Sequence, residues 1–156
     1  MKNTGYFTLA AVPLSMFISL VVAVITARVS PNSFLLKAIY FLPVILPSAA
    51  LIALWRQLFP DFPAFLSLIL IYLVKYSGLN IMLMLNAMAL MNKDMLESAR
   101  LDGAGYLRIA RSIILPNLLP TLFFTLILSL VNSLKVFRES FLLYGNYPDE
   151  SVYLLQ

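Results

Sequence analysis

Four long apolar runs, separated by short clusters of charged and turn-forming residues, set the pattern of this 156-residue chain. They extend from about residue 6 to 27, 34 to 58, 64 to 91 and 118 to 136. A helix needs roughly 20 apolar residues to cross a hydrocarbon core about 30 Å thick, so each run predicts a membrane span. Arg28 ends the first run, and residues 29–33, with Pro31-Asn32, read as a short turn. Phe59-Pro60-Asp61-Phe62-Pro63 makes a second tight turn before the third run.

Polar and proline interruptions refine this pattern. Pro13 interrupts the first run, and Pro43 and Pro47, one turn apart, predict a bend or break of the second near mid-membrane. Such a break is either a packing kink or the border of a cavity. Trp55 and Arg56 sit where an interfacial anchor belongs. The third run carries Lys75, Tyr76, Ser77, Gly78 and Asn80. A lysine inside a span marks a buried partner or a water-filled route unless it snorkels to an interface. Lys75 lies about 24 Å of helical rise before the next charged segment, so both readings stand. Asn132 and Ser133 interrupt the fourth run, which Lys135, Arg138 and Glu139 close. Residues 138–156, rich in turn formers around Tyr144-Gly145-Asn146-Tyr147-Pro148, read as a polar tail.

Composition supports the membrane reading. The chain is 62% hydrophobic and 12% charged, with a mean hydropathy of +0.92, too few polar residues to cover a water-soluble surface. The expected fold is therefore all-α, a polytopic helical membrane protein of about four spans in a single domain over residues 1–156. Absence of cysteine excludes disulfides and thiolate metal sites, and absence of histidine removes the usual near-neutral base. The net charge of +4 does not point to nucleic acid, because the basic residues stand at the ends of apolar runs and not in one patch. The N-terminus has a single Lys2 and no small-residue cleavage site, so the first run reads as a span and not a removable signal. Six basic residues (Arg28, Lys37, Lys93, Arg100, Arg108, Arg111) fall on one side and four (Lys2, Arg56, Lys135, Arg138) on the other. The positive-inside bias then puts residues 92–117 in the cytoplasm and the 138–156 tail outside. A chain that begins outside leads us to expect a further span upstream.

The cytoplasmic segment is the densest in charge. Asn92 or Asp94 can cap a short helix that contains Glu97 and runs to Leu101, and Gly103 and Gly105 can turn the backbone. A second helix, from about Tyr106 to Leu115, carries Arg108 and Arg111 and is expected to stop before Pro116. Physical chemistry alone leaves an interfacial amphipathic loop and a docking element equally open.

The order E-x-A-x-x-D-G-A, then I-x-L-P and a further proline, falls here on Glu97, Ala99, Asp102, Gly103, Ala104, Ile113, Leu115, Pro116 and Pro120. It resembles the EAA loop of binding-protein-dependent ABC import permeases. Phe41-Leu42-Pro43 with Trp55, the K-Y-S-G-L-N of Lys75 to Asn80, the V-N-S-L-K-V-F of Val131 to Phe137 and the Tyr144-to-Pro148 turn resemble the sugar-type branch. Ser98, Ala110 and Met91-Asn92 depart from the common pattern.

The resemblance implies a transport component of a bacterial or archaeal cytoplasmic (inner) membrane, and not an enzyme. Its implied partners are a second permease subunit, cytoplasmic ATP-binding subunits and an extracytoplasmic solute-binding protein, with a sugar or sugar derivative as cargo. It places Glu97, Ala99, Asp102, Gly103, Ala104, Arg108 and Pro116 at the ATPase joint, with Gly103 as the closest contact. No phosphate-cradling G-x-x-x-x-G-K-[ST] loop is present, so no cofactor is expected on this chain, and ATP and Mg are expected on the partner ATPase. Tyr76, Asn80, Asn132 and Ser133 are the candidates for the solute path, although each also suits helix–helix hydrogen bonding. The alternative is a non-transporting membrane scaffold or regulator, or an inactive permease fragment. The family usually carries spans on both flanks, so truncation at one or both ends is expected. An ion-coupled carrier fits poorly, because every Asp and Glu reads as a loop or span-end residue.

Overall fold

The computed structural model describes residues 2–29 and 34–145. The expected turn at 30–33 and the tail from 146 to 156 lie outside the described residues. The elements are α1 (Lys2–Val29), α2 (Phe34–Ile45), α3 (Ser48–Leu58), α4 (Ala64–Ala89), α5 (Lys93–Leu101) and α6 (Tyr106–Ile109), then a π-helical turn (Ala110–Ile114), α7 (Leu115–Leu134) and α8 (Phe137–Tyr144). No strand occurs among the described residues, and the fold is an all-α polytopic membrane bundle.

Three helical stretches are long and apolar enough to cross a bilayer: 3–28, 64–89 and 106–144. The second expected span differs from a continuous helix over 34–58. It breaks at Leu46-Pro47, and α2 and α3 meet at 95°. Pro47 becomes the N-cap of α3, while Pro43 stays inside α2. The 12 residues of α2 rise only about 18 Å, less than the hydrocarbon thickness, so α3 turns aside before a straight crossing is complete.

Helices α1, α4 and α7 form the central bundle. Phe7 meets Phe65 and Tyr72 edge-on at one end, and Ala23 packs with Ile81, Met84 and Leu85 toward the other, so α1 and α4 run parallel. Helix α7 runs against both: Ser133 shares a hydrogen bond with Thr8, and Leu122 reaches the Ala23 cluster. The buried side of α1 is Thr4, Phe7, Ala11, Ser15, Ser19, Ala23 and Thr26, spaced at three- and four-residue intervals, whereas Leu9, Phe17, Val21 and Ile25 face outward. This inverts the soluble pattern. Between helices in lipid, small and hydroxyl-bearing residues allow close backbone approach, while large apolar groups cover the exterior.

Helices α2 and α4 approach closely at Gly78. A Cβ there would lie 1.9 Å from the Tyr40 carbonyl oxygen, so only glycine lets α2 seat against α4. Tyr40 also shares a 2.8 Å hydrogen bond with Thr26 of α1, tying α2 to two neighbours. Helix α3 packs on α8 at the end of the bundle opposite the charged loop.

Candidate functional site

The charged loop begins at Asn92, whose Oδ1 accepts the Asp94 backbone N–H at 2.9 Å. Asp94 sits in the first turn of α5, where the helix dipole favours an acid. The helix ends after Leu101 in a Schellman turn. The Gly103 N–H donates to the Arg100 carbonyl and the Ala104 N–H to the Ala99 carbonyl, each at 3.0 Å. Gly103 has φ +76°, a left-handed conformation that costs any other residue, and a Cβ there would touch nothing within 4 Å. Within this chain, Gly103 is thus required by the turn and not by close packing.

The turn folds α5 back against the start of α6. Ala99, Asp102, Ala104 and Arg108 line one cavity of about 270 Å³, together with Ile109 and Ser112. Glu97, Asp102, Gly103 and Arg108 are exposed, and Ala99 and Ala104 are half-buried. Pro116 stands apart from this cavity, in the first turn of α7.

The second loop helix does not stop before Pro116 as the proline suggests. It continues through the π-helical turn into α7, with Ile109, Ala110, Ile114 and Leu115 all in right-handed helical conformation. The Leu115 N–H reaches back to the Ala110 carbonyl, one residue further than in an α-helix. This wider turn directly precedes Pro116 and accommodates a residue that lacks an N–H and would crowd the carbonyl four positions back. The loop and the last span are therefore one mechanical rod.

Toward the end of the bundle away from the charged loop, the structure assembles a polar cluster. Lys75 of α4 pairs with Glu139 of α8 at 2.7 Å, with side chains only 13% and 4% exposed. The same Glu139 Oε1 accepts from Ser48 at the start of α3 at 3.0 Å and from the Tyr76 hydroxyl at 3.5 Å, and Lys75 also donates to Ser48. Glu139 Oε2 is buried and has no partner among the described residues. Of the two readings of Lys75, the buried partner holds, and Lys75 does not snorkel. Glu139 lies near the end of the last helical stretch, as the pattern of acids suggests, but it is buried and not solvated. Helix α8 continues the line of α7 past a short break at Lys135-Val136 and packs against α3, so the segment expected as tail is helical over residues 138–144. The signal was present, since Glu139 stands between Phe137 and the Phe141-Leu142-Leu143 run.

The four solute-path candidates fall in different surroundings. Asn80 is 2% exposed and donates to Ser129 of α7 at 2.9 Å and Ser15 of α1 at 3.4 Å. Ser133 is also buried, between Thr8 and the Leu130 carbonyl. Both join helices of one bundle. Tyr76 borders the Lys75–Glu139 cluster, and Asn132 is half-buried near the end of α7. Sequence reasoning missed Ser15, Ser48 and Ser129, whose hydroxyls carry no signal in an apolar run until their partners are known.

Comparison with known proteins agrees with this architecture. Residues 6–139 match the family described as binding-protein-dependent transport system inner membrane component. The chain is 23% identical over 167 aligned positions to a probable ABC transporter permease protein, YesP, of Bacillus subtilis (strain 168). That alignment covers 92% of this chain and 54% of the relative, so the chain spans about half the length of the curated protein it matches. The helical bundle and a family match over most of its residues place this chain among the binding-protein-dependent inner membrane transport components, as a multi-pass cytoplasmic-membrane protein.

Proposed function

We propose that the chain serves as a permease subunit of an ABC importer, forming part of a solute path with a second permease and coupling it to ATP hydrolysis on separate ATPase subunits. Glu97, Ala99, Asp102, Gly103, Ala104 and Arg108 form the docking surface, and Pro116 joins it to the membrane rod. ATP and Mg belong to the partner. An extracytoplasmic binding protein delivers the solute, and the sugar-type motifs around Pro43 and Lys75–Asn80 support a sugar or sugar derivative. The relative's name, a probable ABC transporter permease, supports the same class.

One observation carries this reading: a glycine-turned helix pair presents an acid, Asp102, and a base, Arg108, around a small cavity and continues without a break into a span. A push on α5 or α6 is thereby delivered to α7, whose Thr125 and Ser129 lie in the bundle core. For the path itself, Tyr76 and Asn132 are the stronger candidates. Asn80 and Ser133 are already committed to interhelical hydrogen bonds.

The test is substitution of Ala99 by tryptophan, which fills the cavity without touching the bundle. In the assembled complex, solute-stimulated ATP hydrolysis and uptake are expected to collapse while membrane insertion persists. Full stimulation in that variant rejects the docking role. Normal assembly with the ATPase but no uptake of any carbohydrate leaves the coupling and removes the sugar assignment.

A further inference from the structure

Helix α5 has a second side. Next to the Ala99–Ala104 cavity, with Ile109 lining both, Leu96 and Arg100, one turn apart, face the ends of α1 and α4 across a cavity of about 310 Å³. Val24, Met88 and Ile114 supply apolar wall, and Arg28, Arg100 and Tyr106 supply its polar groups. The Arg28 guanidinium lies over the Tyr106 ring. That contact occupies one face of the guanidinium and leaves its in-plane N–H donors for an oxyanion. Arg100 stands in the last turn of α5. Neither arginine has a carboxylate partner among the described residues, whose ion pair is Lys75–Glu139 at the other end of the bundle.

We propose that this cavity binds an anionic phospholipid, its headgroup phosphate held between Arg28 and Arg100 and its acyl chain against Val24, Met88 and Ile114. Three features point to this occupant. The two exposed cations line one cavity and no carboxylate among the described residues pairs with them, which leaves both free to hold an anion. They lie at the ends of α1 and α4, on the side that the positive-inside bias assigns to the cytoplasm, where anionic headgroups concentrate. The walls are apolar, which rewards an amphiphile and gives a free anion nothing. A lipid in this position bridges α1, α4, α5 and α6, bracing the loop from the face that the Ala99–Ala104 cavity leaves open. The site does not depend on the docking role of the loop, because its predicted ligand comes from the membrane.

The test uses the full chain in detergent micelles, titrated with dioleoyl phosphatidylglycerol, dioleoyl phosphatidylcholine or inorganic phosphate and read by native mass spectrometry. Phosphatidylglycerol is expected to bind in preference to phosphatidylcholine. The Arg28→Gln/Arg100→Gln variant is expected to weaken that binding roughly thirtyfold, from the loss of two cations near an anionic surface. Arg111→Gln, which removes an exposed charge outside the cavity, controls for loss of a positive charge elsewhere on the chain and is expected to bind as the unaltered chain does. Arg28→Lys/Arg100→Lys keeps both charges and is expected to recover most of the affinity, which separates loss of the site from loss of fold. Equal binding of the two lipids, or an unweakened double glutamine variant, overturns the proposal. So does inorganic phosphate binding as tightly as the lipid. Loss of ATPase association in the glutamine variant with lipid affinity unchanged assigns the cavity to an acidic partner segment and overturns it as well.

Discussion

Removing one member of the Lys75–Glu139 pair should do more damage than removing both. At 2.7 Å the gross attraction is about 6 kcal/mol at an effective dielectric constant near 20. Desolvating two nearly enclosed ions costs several kcal/mol each, so the pair's net contribution lies close to zero. A single substitution cancels the attraction and leaves the other charge stranded. In Glu139→Gln, Lys75 keeps Ser48, the Tyr76 ring face and a neutral amide, but no counter-charge, while its side chain is 13% exposed. In Lys75→Met, the Glu139 carboxylate keeps Ser48 and a long Tyr76 contact, with Oε2 still unpartnered. Each single variant should lose about 3–5 kcal/mol, and the double variant Lys75→Met/Glu139→Leu should return to within about 1–2 kcal/mol of the parent. Reversible unfolding in bicelles, completed as a double-mutant cycle, gives these numbers directly. Single losses below about 0.5 kcal/mol, or additive losses in the double variant, would refute the claim that the two charges are enclosed together.

Three further outcomes follow from the same geometry. Gly78→Ala puts a methyl group against the Tyr40 carbonyl and must displace α2, at a cost of about 1–3 kcal/mol, and a Gly78→Ala variant that keeps its stability, with α2 unmoved by distance measurement, would contradict the close approach. Asn80→Ala removes two interhelical hydrogen bonds and should cost about 1 kcal/mol in the same unfolding assay, and an unchanged value would mean that Asn80 faces elsewhere. Gly103→Ala should weaken the α5 turn by about 1–2 kcal/mol and speed amide exchange at Ala104, with Gly103→Asn milder because asparagine tolerates positive φ, and the reverse order would show that size and not backbone angle governs this position.

Apolar run length predicted that helices exist and roughly where they cross, since a bilayer admits few other structures. It did not indicate which side of each helix is buried. In α1 the inner stripe of Ser15, Ser19 and Thr26 is more polar than the outer Phe17 and Ile25, the reverse of the pattern that hydrophobic periodicity detects. The charged loop was legible because its capping asparagine and turn glycine act locally, through Asn92 and Gly103. Pro116 misled because a proline normally ends a helix, and the π turn that absorbs it leaves no sequence mark of its own. Glu139 misled because Lys135 and Arg138 beside it suggest a solvated end, whereas its partner lies 64 residues away in α4. Long-range pairing of this kind is a property of the packed bundle and not of any window of sequence.

The most direct test of the docking role uses the absence of cysteine from this chain. Single cysteines at Asp102 and, on the opposite side of the membrane, Phe62 can be reacted with a short bifunctional cross-linker in the assembled transporter. Asp102→Cys should yield an adduct with the ATPase subunit, and Phe62→Cys should yield none. Failure of the loop cysteine to reach the ATPase, in a complex that still hydrolyses ATP in response to solute, would contradict the central claim.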